Sequence, residues 1–381
     1  MSTEPRLARE LTAGQLARYS RHLTLPGVGI NGQNRIANAK VLIIGAGGLG
    51  SPIASYLIAA GVKQLSVIDP DRVELSNLQR QILHREQDQG ALKVASVQRL
   101  AEELNSEVAV HCHGAYLSPA NAVELFAEHD VVIDGSDNFA TRYLSSDAAE
   151  ITGTPLVWGT IFQFSGQVSV FDPQSGPMLR DIFPEMPDAD SVPSCAEGGV
   201  FGALCGVVGS LMATEALKII TNVGHPLTGK LWLYDALTAD VQILNFGRDP
   251  QRAPVRELGD YESRSCSVDL PGGEIDVSEV EELRAQGQLV LLDVREPWER
   301  ALAAIEGSIH LPLDQLSGDF WTQFQWEQGT RVVTVCKTGV RSVRAAATLN
   351  AARPATLAPV LSLSGGTLRW LAQVRGQVVD Y

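Results

Sequence analysis

Residues 40–50 (Lys-Val-Leu-Ile-Ile-Gly-Ala-Gly-Gly-Leu-Gly) constrain this chain more than any other stretch. Five residues of buried-strand character run into a glycine turn, and an apolar helix follows through Ala60. Gly45, Gly47, Gly48 and Gly50 let the backbone approach a phosphate closely. The helix that opens there favours negative charge at its N-terminus. A second strand ends at Asp69, at the distance expected of a carboxylate that binds a ribose. Strand, helix and strand make a βαβ unit, so a parallel sheet is expected. The pattern implies a bound nucleotide without saying which, because NAD, FAD and ATP users share it.

Residues beyond the βαβ unit narrow the choice. Asp71 lies two residues after Asp69, then come Ser76-Asn77-Leu78-Gln79-Arg80-Gln81 and Gly90-Ala-Leu-Lys93. A third strand-like run, 130–134, leads into Asp137-Asn138. Adenylation by ATP needs this inventory: cations on the phosphates, a carboxylate for Mg²⁺, and donors at the α-phosphate where charge develops. An NAD-dependent oxidoreductase built on the same glycines leaves Arg80, Lys93 and Cys336 without a task. The formal net charge of -14 argues against a nucleic-acid binder, which needs a basic footprint. An acidic surface serves solubility, or a docking field for a basic partner.

The rest of the chain divides in two. Residues 4–20 read as a polar amphipathic helix ahead of the first domain, 156–172 as further strands, and 199–220 as a glycine-rich entry into a helix. Residues 248–272 are rich in Arg, Pro, Ser, Gly and Asp without helical period, and read as a linker between a domain at 1–247 and another at 273–381. In the second domain a strand at 289–293 precedes Arg-Glu-Pro-Trp-Glu. Another at 331–335 runs into Cys336-Lys-Thr-Gly-Val-Arg341-Ser and an alanine-rich helix to about 350.

Five cysteines, at 112, 195, 205, 266 and 336, form no CxxC pair, which speaks against a secreted disulfide framework and for a reducing cytosol. The N-terminus has no apolar signal-like stretch. The most apolar run, around Val200 to Met212, is short and glycine-rich, so no membrane span is expected. The reading is a soluble cytoplasmic protein. Cys336 ends a strand just ahead of a helix, where backbone N–H groups can converge on one sulfur. Gly339 permits the curl and Arg341 adds positive charge, a nest suited to a thiolate or a persulfide.

Gly-x-Gly-Gly-x-Gly, Asp69-Pro-Asp71, Ser-Asn-Leu-Gln-Arg-Gln and Asp137-Asn138 together resemble the MoeB/ThiF adenylyltransferases of the ubiquitin-activating superfamily, over roughly residues 15–247. Tyr19-Ser20-Arg21-His22 is similar to the family's N-terminal helix. The resemblance implies a Rossmann-like α/β domain with a mixed sheet. It implies that Gly45, Gly47, Gly48, Gly50, Asp69, Asp71, Ser76, Asn77, Leu78, Gln79, Arg80, Lys93 and Asn138 bind ATP, and that Asp137 holds Mg²⁺ at the α-phosphate. Arg21 reaches the ATP of a second subunit, so a homodimer is implied. Pro193-Ser-Cys195-Ala-Glu-Gly-Gly resembles the family's cysteine loop, where Cys195 forms a thioester, resolves a disulfide, or is dispensable.

Cys336 to Arg341, with four residues between them, resembles the active loop of a single-domain rhodanese, and the likeness covers about 273–381. Asp293-Val-Arg295-Glu296 and Gly365-Gly366-x-x-x-Trp370 match the same family, with Asp293 and Arg295 read as structural supports. A small α/β rhodanese domain is therefore expected after the first. The fusion implies a partner, a small ubiquitin-like sulfur carrier ending in Gly-Gly, whose carboxylate is adenylated and then converted to a thiocarboxylate by sulfur from Cys336. The sulfur donor implied is a cysteine desulfurase or thiosulfate. A nucleotide-binding regulatory protein that does not adenylate, with a live rhodanese, is the alternative. The chain departs from the family at one place. Relatives hold zinc with two CxxC pairs, and the four matching positions here are Met178, Asp181, Arg252 and Val255. A thiolate or imidazole site is gone, so no structural zinc is expected; if the two turns still meet, an Asp181–Arg252 ion pair beside an apolar Met178–Val255 contact stands in its place, and if they do not, 248–258 is linker.

Overall fold

Strand Lys40–Ile44 (β1) forms where the apolar run predicts it, and its alternating residues show why the run is continuous. Val41 and Ile43 enter one core cluster, while Leu42 and Ile44 enter another on the opposite face. A strand buried on both faces needs apolar residues at every position. Fully burying each such side chain stabilises the fold by about 1.5–3 kcal/mol. The computed structural model describes residues 11–187, 199–261, 273–322 and 329–378. The chain divides into two compact units, Met1–Ser265 and Cys266–Tyr381.

The first unit carries an eight-stranded sheet. After β1 come Gln64–Ile68 (β2), Ala109–His113 (β3), Val131–Asp134 (β4), Leu156–Phe162 (β5), Ser165–Phe171 (β6), Lys230–Asp235 (β7) and Asp240–Asn245 (β8), in the spatial order β3-β2-β1-β4-β5-β6-β7-β8. The first five run parallel, and β6, β7 and β8 add antiparallel pairs. This is the mixed sheet of a Rossmann-like fold. The chain leaves β1 towards β2 and β3 and returns on the other side at β4. Ligands of open α/β sheets bind at such a switch point, beyond the carboxyl ends of the strands.

Helix Gly202–Thr221 is 20 residues long and apolar enough to cross a membrane by length and composition. Its Leu204, Val208, Met212 and Ala216 face belongs to the core. The helix expected over 4–20 breaks at Tyr19 into Ala13–Arg18 and Ser20–Leu23, and residues 4–10 lie outside the described residues. Tyr19 is buried at the break, where its hydroxyl accepts a hydrogen bond from Asn105 Nδ2 at 2.9 Å.

Residues 248–261, read from composition as linker, are fastened to the first unit instead. Arg248 Nη2 donates to the carbonyls of Pro173 (2.9 Å) and Gly176 (2.8 Å). The Arg252 guanidinium spans two carboxylates, Asp181 (Nε–Oδ1 2.7 Å) and Glu150 (Nη1–Oε2 2.9 Å). Tyr261 is buried, and its hydroxyl donates to Asp147 at 2.7 Å. Arg180 grips the same Asp147 through Nε and Nη2, both at 2.7 Å. The expected Asp181–Arg252 pair is therefore present. Met178 is fully buried in the core and Val255 is half-buried. The segment lacks a regular period because polar side-chain contacts, not a helix or strand, hold it.

The second unit is a five-stranded, all-parallel sheet of Glu274–Ile275 (β9), Leu289–Asp293 (β10), Ile309–His310 (β11), Arg331–Val335 (β12) and Leu361–Leu363 (β13), in the order β11-β10-β12-β13-β9. Val333 and Val335 face one core, Val332 and the following Cys336 the other. Helix Val340–Ala351 follows, with its first residues closing the Cys336 loop.

Candidate active site

The glycine turn follows β1 at the switch point. A Cβ on Gly50 would lie 2.1 Å from the Gly45 carbonyl oxygen, so only glycine lets the helix start this close to the strand end. Gly45, Gly47, Gly48, Asp69, Asp71, Arg80, Lys93, Asp137 and Asn138 all line one cleft. Each of these is a residue that the sequence singles out. Gly50, Ser76, Asn77, Leu78, Gln79 and Arg21 do not line it. Buried Asn77 instead closes the turn Leu75–Asn77, its Oδ1 accepting from Glu74 N at 3.1 Å. Arg80 ties back to that turn through Nη1 and Ser76 O, at 3.0 Å. The Ser76–Gln79 segment thus places Arg80. Arg21 lies exposed on Ser20–Leu23.

Asp69 does more than the sequence suggests. Its Oδ2 accepts from Ala46 N at 2.7 Å and its Oδ1 from Asp71 N at 2.8 Å. The carboxylate is a strut between the glycine turn and the end of β2, with a lone pair on each oxygen left for a ligand. Burial pushes its carboxyl up, against the pull of Lys93 and the two amides. Lys93 is buried, and its Nζ lies 2.8 Å from Asp71 Oδ2. Asp137 is exposed at the cleft. Asn138 caps helix Phe139–Thr152, its Oδ1 accepting from Thr141 N at 2.8 Å.

Two cleft residues, Arg142 and Gln81, and His84 behind the glycine turn receive no role from the sequence. Arg142 is buried, donates from Nε and Nη2 to Ser136 O (3.3 and 3.1 Å), and so braces the loop that carries Asp137. Its place one turn into the helix after Asp137-Asn138 was the available signal. Gln81 is buried, and its Oε1 has no hydrogen-bond partner among the described residues. His84 is buried against the glycine turn.

The residues of this cleft fit ATP. They offer cationic and amide groups for phosphates, an orphaned acceptor in Gln81, and the Asp137 carboxylate. Among the described residues no group of three or more His, Cys, Asp or Glu could hold a metal.

In the second unit Cys336 is buried at the end of β12, and its Sγ accepts from Gly339 N at 3.1 Å and Ser342 Oγ at 3.5 Å. A Cβ on Gly366 would meet the Cys336 carbonyl oxygen at 2.4 Å, so the Gly365-Gly366 pair lets a second chain segment press on the loop. Thr367 then donates to that carbonyl from N (2.8 Å) and Oγ1 (3.1 Å). Asp293 and Arg295 are fully buried and paired (Nη2–Oδ2 2.7 Å), and Arg295 also donates to Ala303 O at 2.7 Å, as structural supports should. Arg341 makes a bidentate pair with buried Glu299 (2.7 and 2.6 Å). Burial pushes the Glu299 carboxyl up, but Arg341 and the Glu296 amide hold it below the usual carboxylate range. Glu299 ends the Arg-Glu-Pro-Trp-Glu run that follows β10, but the sequence gives it no role. Cys195 lies outside the described residues.

The ThiF family model matches residues 19–255, and the rhodanese-like domain model matches 276–373. This chain belongs to the ThiF family. It is similar along nearly its whole length to the probable adenylyltransferase/sulfurtransferase MoeZ of Mycobacterium tuberculosis, 42% identical over 98% of this chain and 97% of the relative. The adenylyltransferase and sulfurtransferase MOCS3 of Bos taurus is 37% identical over 99% of this chain and 90% of its own. A sulfur carrier protein adenylyltransferase of Thermus thermophilus matches 66% of this chain and 97% of its own, at 48% identity. The crystal structure of E. coli MccB with ATP covers 62% of this chain and 74% of its own with a TM-score of 0.56; at 21% identity it shows the fold alone. The ThiF match includes Arg252, in keeping with a tail that packs on the first unit.

Proposed function

We propose that this ThiF-family protein adenylates the C-terminal Gly-Gly carboxylate of a small ubiquitin-like sulfur carrier, and that its rhodanese domain then supplies the sulfur. The observation that carries the reading is the pairing, in one chain, of a cleft with cations and a carboxylate around a glycine turn and a buried thiol held by converging donors. The carrier carboxylate attacks the α-phosphorus of ATP, forming acyl-AMP and releasing pyrophosphate. Arg80, Lys93 and the turn amides hold the phosphates as charge builds there. Asp137 is the residue that would hold Mg²⁺, which would neutralise phosphate charge there.

Cys336 takes sulfane sulfur from a desulfurase persulfide or from thiosulfate and becomes a persulfide. The terminal sulfur attacks the acyl carbon and AMP leaves, giving an acyl disulfide to Cys336. A thiol then attacks the Cys336 sulfur. It frees the carrier thiocarboxylate and leaves a disulfide on Cys336 that a thiol reductant opens. Cys195 is the thiol we assign to that attack. A homodimer in which Arg21 acts in the neighbouring subunit's cleft, in the cytoplasm, completes the reading.

The test is ATP–pyrophosphate exchange. It requires Mg²⁺-ATP and a carrier with a free Gly-Gly end. Asp137→Ala abolishes exchange, whereas Cys336→Ala leaves it intact and removes only thiocarboxylate formation. Loss of exchange in Cys336→Ala would show that the two chemistries are not divided between the domains as proposed.

A further inference from the structure

His84 takes no part in the steps above, yet it touches the turn on which they depend. It is 6% exposed, and its ring Nε2 lies 3.0 Å from the Ala46 carbonyl oxygen. A carbonyl only accepts, so Nε2 carries the proton in this contact. Nδ1 is buried and has no hydrogen-bond partner among the described residues. A proton added there would meet no acceptor, so the ring works in its neutral form. Burial lowers its pKa, with Lys93 and Arg99 acting in the same direction and the Ala46 carbonyl and Asp88 against.

The contact matters because of the other end of Ala46. Its N–H is already held by Asp69 Oδ2 at 2.7 Å. Asp69 and His84 therefore fix the two successive peptide planes on either side of Ala46. In a trans peptide the C=O and the next N–H point in opposite directions. Holding the Ala46 C=O on His84 thus directs the Gly47 N–H away from His84. Among the described residues that N–H has no hydrogen-bond partner, and Gly47 lines the cleft.

Resting on the reading of the cleft as an ATP site, we infer that His84 is a positioning residue for nucleotide binding: its Nε2–H locks the Ala46 carbonyl and so presents the Gly47 amide to a phosphate. Free rotation of this peptide costs affinity because an anion site works through donors already aimed at it. The effect falls on binding of ATP and not on later chemistry, since no reacting atom touches His84.

Direct binding of Mg²⁺-ATP to the full chain, measured by calorimetry, tests this. His84→Leu and His84→Asn raise Kd by about tenfold, the loss of one well-placed hydrogen bond. His84→Gln, whose amide nitrogen reaches as far as Nε2, recovers most of the affinity; Asn is polar but one methylene too short. In pyrophosphate exchange the Leu and Asn variants raise KM for ATP by the same factor, with kcat at saturating ATP within about threefold. Should Leu misfold, the Asn–Gln comparison decides alone. A Kd within about twofold of wild type in Leu or Asn overturns the inference, as does a Gln variant no better than Asn. If the wild type fails to bind ATP, the reading of the cleft and this inference fall together. If it binds but shows no exchange, only adenylation falls.

Discussion

Arg252 gives the sharpest test of how the first unit is held together. Its guanidinium makes four contacts to carboxylates, with Asp181 (2.7 and 3.2 Å) and Glu150 (2.9 and 3.0 Å), and one to the Ala253 carbonyl (3.3 Å). The Asp181 side chain is 0% exposed, Glu150 9% and Arg252 14%. Arg252→Met keeps the apolar bulk and strands two carboxylates. Removing one partner of a buried pair costs about 3–5 kcal/mol. Asp181 keeps amide donors at Met178 N (2.6 Å) and Asp249 N (3.1 Å), which places the loss at the low end, about 3 kcal/mol. For a unit of this size that is roughly 6–12 °C in the melting temperature of the first unit, read by calorimetry of the full chain.

The pH dependence has a definite sign. Burial pushes the Asp181 carboxyl up, but Arg252 and the amides of Met178 and Asp249 outweigh it and hold the group below the ordinary 3.8. A depressed carboxyl stabilises the fold above its unfolded value, and that contribution is lost as pH falls through the folded value. The wild-type and Arg252→Met stabilities therefore differ in full at neutral pH and converge below about pH 3.8. Adding Asp181→Asn and Glu150→Gln to Arg252→Met removes the stranded charge and recovers most of the loss. Chelators leave the wild-type melting temperature unchanged. A fall below about 2 °C in Arg252→Met, or no recovery in the triple variant, would refute the reasoning.

Two further outcomes test the thiols. Thiosulfate adds ~32 Da, one sulfur, at Cys336, and intact-mass analysis of Cys336→Ser shows no adduct; an adduct that persisted and mapped to Cys195 would move the sulfur entry point. Cys195→Ala leaves pyrophosphate exchange unchanged but stalls the carrier as an acyl disulfide, visible by mass and released by dithiothreitol; unstalled thiocarboxylate release would show Cys195 to be dispensable.

The strands nearest the cleft were legible because burial on both faces leaves a continuous apolar run, as in β1 and β4. β3 was not: Ala-Val-His-Cys-His lies at the sheet edge, exposed along most of its length, and carries no such run. The β7–β8 hairpin escaped for a related reason. Every residue of β8 is exposed, so backbone pairing to β7 rather than a core-facing pattern makes it a strand. The tail at 248–261 looked like linker because its anchors are Arg, Asp and Tyr in a segment of low hydropathy, and their partners lie about 70 or more residues away.

The site divides along the same line. Charged residues that line the cleft, such as Asp71, Arg80, Lys93 and Asp137, announce themselves by type and spacing. Residues that act by holding another protein group do not. His84 bonds a carbonyl 38 positions earlier, Arg142 a carbonyl six positions earlier, and Glu299 a guanidinium 42 positions later. Each has a side chain that a surface helix or turn could equally carry, and only the fold brings its partner to it. Asp69 shows how the two classes overlap. Its position after β2 announces a ribose ligand, yet one oxygen already holds the glycine turn through Ala46 N while the other holds Asp71 N. Loss of Asp69 therefore disturbs the turn as well as any ribose contact, while loss of His84 disturbs the turn alone. Comparing the two on ATP and on inorganic pyrophosphate, which has no ribose, separates the contributions: the affinity lost by both variants belongs to the turn, and the part lost only by Asp69→Asn on ATP belongs to the sugar.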